Sequence, residues 1–154
     1  MNNRSAFSAF KIVHQVLLFG QLLFMGVMFY LLKNEVSEPP FEGKDKMLQW
    51  AAVATAAFSF FGGNGIFKKK LGGLRDRINL TAKQRFEKYR AACIILWAML
   101  ETASLFSGLC FFLSGNYAFL VLGGLLILFF AAMAPDKNKM AVQSGLSAEE
   151  IDSL

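Results

Sequence analysis

The chain has 154 residues, 55% of them hydrophobic, with a mean hydropathy of +0.44 and a formal net charge of +5. A soluble domain of this length scatters its apolar residues; here four long blocks hold more than half of the chain. That gathering excludes a soluble enzyme domain, a DNA-binding module, a coiled coil and a disordered tail, because apolar blocks of this length match the thickness of a bilayer core.

The first block, 12–32, contains no Asp, Glu, Lys or Arg. It is longer than the apolar region of a signal peptide and no Ala-x-Ala site follows, so it predicts an uncleaved first span. His14 and Gln21, seven residues apart, fall on one side of that helix. Residues 33–46, with Pro39-Pro40 and Gly43, predict a solvated loop. The second block, 47–67, is also uncharged. Ala51, Thr55, Ser59 and Gly63 recur in it at intervals of four, a small-residue stripe that admits a neighbouring helix. This helix is expected to run through Lys68–Lys70 and stop at Gly72-Gly73.

Thr81 with Gln84 three residues later is a capping-box pattern, and no Gly or Pro follows until Gly108. One continuous helix over 82–113 is therefore expected, entering the third block, 91–113, with Phe86 and Tyr89 at headgroup level. Ser114-Gly115-Asn116 predicts a tight turn into the fourth block, 117–134, where Gly123 and Gly124 offer packing sites and Pro135 ends the helix. Ser147 and Glu150 form a second capping-box pattern in the polar tail, 136–154, which is either a frayed end or a docking element. The expectation is an all-α membrane protein, a single domain over 1–154 with four transmembrane helices as two antiparallel hairpins. LLFMGVMFYL (22–31) and SLFSGLCFFL (104–113) share five identities at an offset of 82, the pattern of a tandem hairpin repeat.

Between the second and third blocks lie Lys68, Lys69, Lys70, Arg75, Arg77, Lys83, Arg85, Lys88 and Arg90, against Asp76 and Glu87. The 33–46 connection holds more acids than bases, and 114–116 is uncharged. The positive-inside rule puts 68–90 and both termini in the cytoplasm, with Arg4, Lys11, Lys137 and Lys139 in agreement. The loop is expected to touch anionic lipid. Nucleic acid is not an expected partner, since no aromatic platform accompanies the charge. Asn79-Leu80-Thr81 matches a glycosylation pattern but falls on the cytoplasmic side. Cys93 and Cys110 lie 17 residues apart on one helix, about 25 Å, and cannot pair. One His and two Cys without a neighbouring carboxylate make no metal site. No nucleophile elbow, phosphate loop or cofactor motif is present, so no enzyme activity and no cofactor are expected.

Glu101 is the eleventh residue of the third block and lies near the bilayer midplane. A charge there costs at least roughly 2.5–3.5 kcal/mol, which a bound proton, a cation or a hydrogen-bonding helix offsets. Glu101 is thus an ion- or proton-binding group, polar glue between helices, or a substrate contact. Trp97, Glu101, Ser104 and Gly108 follow at spacings of four, three and four and share one stripe. Gln21 is close to Glu101 in depth, and Thr55 and Ser59 bracket the same level, so Glu101, Gln21, Thr55, Ser59 and Trp97 form the expected binding group. His14, nearer the cytoplasm, is a proton-relay candidate. Gly63, Ser104, Gly108, Gly123 and Gly124 are expected to serve helix packing.

The stretch LWAMLETASLFSGLCFFL (96–113) resembles the carboxylate helix of rotary-ATPase proteolipid (c-type) subunits. The resemblance implies an ion-binding role for Glu101, and the expected partner is a second copy in a homo-oligomer or another membrane protein. Two features depart from that pattern: 12–32 is not strongly Gly-rich, and Glu101 sits on the first helix of its hairpin. The chain as a whole resembles uncharacterised small four-span inner-membrane proteins of Bacteroidota-type bacteria, through Phe67–Leu71 and through Tyr89, Arg90, Trp97, Leu100, Glu101, Leu105 and Phe106. Three functions stay open: a proteolipid-like subunit binding a proton or cation, a non-catalytic accessory subunit of a larger membrane complex, and a small cation exporter.

Overall fold

The Thr81 hydroxyl accepts a hydrogen bond from the Gln84 amide at 3.3 Å, and the Gln84 side chain accepts from the Thr81 amide at 3.1 Å. This closed capping box satisfies two orphan donors and launches the longest helix of the chain. In a computed structural model, which describes residues 6–34, 36, 38–41, 45–74 and 79–152, every regular element is helical. Gly43, Arg4, Arg75, Asp76 and Arg77 lie outside the described residues. The elements are α1 (Ala6–Lys33), α2 (Lys46–Ala57), a π-helical turn (Phe58–Gly62), α3 (Gly63–Leu71), α4 (Ala82–Ser114), α5 (Tyr117–Ala132), α6 (Lys137–Ser144) and α7 (Ala148–Asp152). Three helices are long and apolar enough to cross a membrane: α1, the continuous α2–α3 rod and α4. Four qualify if α5 is counted together with α6, from which it is bent by 75°.

The helix α4 is the axis of the bundle, and α1, α2–α3 and α5 all pack on it. The glycines permit this. Phe24 and Met25 of α1 lie 2.9 and 3.3 Å from where a side chain on Gly108 would begin. Leu96 of α4 lies 2.8 Å from the equivalent point on Gly63. The expected first hairpin is therefore splayed, because α1 and α2 each lean on α4 without extended contact between them. The second is a true hairpin, in which Gly115 adopts φ 68° and Asn116 caps α5 through the Ala118 amide at 2.9 Å. A left-handed residue closes a helix at least cost when it is glycine.

Along the α1–α4 seam, His14 meets Trp97, Gln21 meets Ser104 and Phe29 meets Phe111. Residue numbers rise together, so the two helices run parallel with an offset of 82 or 83. The two similar decapeptides thus lie side by side at one level, in unlike surroundings: Gly108 is packed, whereas Gly26 faces open space.

Three features differ from the expectations. The second helix widens into a π turn that ends at Gly62-Gly63, where α4 approaches closest, and Asn64 supplements the loosened ladder by donating to the Phe60 carbonyl at 2.8 Å. The tail is not frayed but forms two short helices. Asp136 caps α6 through the Lys139 amide at 3.1 Å, and Gly145 ends it at φ 72°. Met140, Leu146 and Ile151 are buried with Phe7, Leu74 and Phe86 in one apolar cluster, so the tail docks across the basic end of the bundle. The Arg85 guanidinium donates to the Gly145 carbonyl at 3.3 Å and the Ser147–Glu150 capping box is closed.

The connection between α1 and α2 is also held down. Pro39 packs beside Gly115, the Phe41 amide donates to the Leu113 carbonyl at 2.9 Å, and the Asp45 carboxylate accepts from Asn116 and from Gln49. These two amide donors hold the Asp45 carboxyl below its usual value. A depressed carboxyl stabilises the fold above its unfolded-state value, about pH 4, and that contribution disappears as pH falls through the folded value. Asp45→Asn should accordingly flatten the acid limb of a thermal-stability profile between about pH 5 and 3, where the parent chain declines. A variant whose acid limb matches the parent would remove Asp45 from the latch.

Candidate functional site within the bundle

On α4 the residues facing neighbouring helices are Leu96, Trp97, Leu100, Ala103, Ser104 and Ser107, whereas Ile94, Ala98, Thr102 and Leu109 are exposed. Glu101 falls at the edge of that exposed face. It is half-buried, one turn from Trp97 and from Ser104, and among the described residues its carboxylate has no hydrogen-bonding partner. Trp97, Ser104 and Gly108, which share its stripe, are buried under α1.

A polar seam runs beside it. Ser104 Oγ lies 2.7 Å from Gln21 Oε1 and 2.9 Å from the Glu101 carbonyl, dividing one hydroxyl proton between two acceptors. Gln21 Nε2 and Ser107 Oγ are buried without a partner among the described residues. Buried polar groups are normally satisfied, so each of these two atoms has hydrogen-bonding capacity left over. Ser107 escaped the sequence reading because nothing local separates it from any other serine in an apolar helix.

His14 sits toward the basic end. Its Nε2–H donates to the Phe130 carbonyl at 3.0 Å, and its ring stacks on Phe130 at 4.6 Å and meets Trp97 edge-on at 4.8 Å. The other partner of Trp97 is Phe10, stacked at 4.8 Å. The indole is enclosed by rings, which leaves no open face for a cation to approach from the Glu101 side.

The expected group is only partly assembled. Gln21 and Ser104 join, and His14 joins Trp97, all on the α1 side of α4. Thr55 and Ser59 lie on the α2–π flank, which packs on α4 through Gly62 and Gly63 against Met99 and Leu96. They do not reach Gln21, because α1 and α2 straddle α4. Among the packing residues, Gly63, Gly108 and Gly123 are close approaches. Gly124 is not, since a side chain there would meet nothing within 4 Å. Adjacent residues point about 100° apart on a helix, so only one of the two can face the seam. Among the described residues no group of three or more His, Cys, Asp or Glu is placed to hold a metal. The chain matches no protein-family model, no curated protein and no solved structure.

Proposed function

We propose that the chain is a four-span subunit of a bacterial inner-membrane assembly that takes up a proton or a small cation at Glu101. The observation that supports this is the place of Glu101: mid-helix in the third span, at the lateral edge of the bundle, with no partner among the described residues. In hydrocarbon an unpaired carboxylate is expensive, so a proton, a cation or a donor from a neighbouring chain must complete it. Of the chain's own polar groups nearest in depth, the Ser104 hydroxyl is shared between Gln21 and the Glu101 carbonyl and Gln21 keeps a single amide donor, so a second copy or a partner subunit is the favoured source of further ligands. The basic end then lies in the cytoplasm with both termini.

An accessory-subunit role has one observation of its own: apolar grooves flank α5 on both sides, against α2 and against α1. The exporter role needs an accessible Trp97 and has less support, because Phe10 and His14 cover the indole.

Infrared difference spectroscopy of the protein in lipid tests the proposal. Glu101→Gln should fold normally, since the carboxylate has no bond to lose, and should remove one carboxyl band that changes with pH over about pH 5–10. A Glu101 band that never changes across that range would make the residue a fixed hydrogen-bond donor and end the carrier role.

A further inference from the structure

At the basic end, where α3, the end of α5 and α6 converge on α4, lies a cavity of about 370 Å³. Its two halves differ in chemistry. Leu96, Trp97 and Met133 form an apolar floor, while Lys68, Lys139 and Gln143 stand at the mouth. Lys139 spends one donor on the Ala132 carbonyl at 3.2 Å and keeps two; Lys68 keeps all three. No Asp or Glu lines the cavity among the described residues. The level is also informative. Lys68 immediately follows the second apolar block, Tyr89 lies two residues before the third, and Ala132–Ala134 end the fourth. The mouth therefore lies at headgroup depth and the floor at the top of the acyl region.

We infer that this cavity binds an anionic phospholipid, with the headgroup phosphate between Lys68 and Lys139 and the start of an acyl chain on the Leu96–Trp97–Met133 floor. A soluble anion would leave that floor wet, and a neutral amphiphile would leave two ammonium groups unmatched, so an anionic head joined to an apolar tail is the chemistry that uses both halves. The site exists only because the tail folds back: Lys139 and Gln143 belong to α6, and Met140 between them is fully buried in the core. It is independent of the role given to Glu101.

Trp97 provides the test. The chain has two tryptophans, so Trp50→Phe leaves Trp97 as the sole emitter, and at 1% exposure Trp97 is shielded from lipid elsewhere on the bundle. In detergent micelles, phosphatidylglycerol with brominated acyl chains should quench Trp97 at lower mole fraction than brominated phosphatidylcholine. Lys68→Gln and Lys139→Gln should each weaken that quenching by about fivefold. Gln143→Glu should weaken it too, whereas Lys69→Gln and Lys70→Gln, on the same helix end but outside the cavity, should leave it unchanged. All these side chains are exposed, and circular dichroism checks that each variant is folded. Equal quenching by the two lipids, or undiminished quenching in Lys68→Gln and Lys139→Gln, overturns the inference. Displacement of the brominated phosphatidylglycerol by millimolar inorganic phosphate also overturns it, by making the site one for a soluble anion.

Discussion

Gly123→Leu is expected to force α1 out of its seat against α4 and α5, with a loss of folded protein larger than that of any other single glycine substitution. A Cβ at Gly123 would run into the Met25 methyl and lie 3.4 Å from Ser107 Cβ and 3.5 Å from the Ser104 carbonyl oxygen. The Met25 tip can swing aside, so Gly123→Ala should cost about 1–3 kcal/mol. The branches of leucine must reach further, toward the backbone of α4, which cannot move without disturbing the Ser104–Gln21 bond. Helix association in lipid rests on such close packing because burial from hydrocarbon contributes little. Gly124→Leu is the matched control, since the space beside Gly124 is open. Unfolding in mixed micelles followed by circular dichroism measures both. Equal stability of the two variants would show that α1 does not sit where the structure places it.

Trp97→Ala should be the most damaging truncation, at about 3–5 kcal/mol. The indole is 1% exposed and packs on Phe10, His14 and Phe130, which belong to α1 and α5. Its removal leaves a void at the junction of three helices and loosens the His14 ring that tethers α1 to the Phe130 carbonyl. Trp97→Phe should recover a large part of the loss by refilling the space. Trp50→Ala supplies the contrast, because Trp50 is 78% exposed on α2. A Trp97→Ala variant no less stable than Trp50→Ala would contradict the packing and reopen the indole as a ligand contact.

Much of this site was hidden from the sequence, and particular residues show why. Glu101 stood out because one charge in an apolar block has no local explanation. The assignment of Thr55 and Ser59 beside it rested on depth alone. Depth says nothing about azimuth, and the two residues lie on the other flank of α4. Gln21 and Ser104 bond across 83 residues, and Lys68 meets Lys139 around one cavity across a similar span. No spacing rule connects residues so far apart. In α4 and α5 apolar side chains surround the whole helix, so periodicity cannot separate a lipid-facing side from a packed one.

The sequence by itself determined the helices. Uncharged blocks, the Thr81–Gln84 and Ser147–Glu150 boxes, the Gly72 and Gly115 stops and the placement of basic residues all act within a few residues of the features they specify. Only the tertiary structure decided that α4 is the axis, that Gly123 and not Gly124 faces the seam, that the α1–α2 loop latches to the α4–α5 turn, and that the tail closes over the basic end. Helix formation in an apolar setting is a local requirement to satisfy the backbone, whereas partner choice among equally apolar helices depends on the fit of side chains brought together only by the fold.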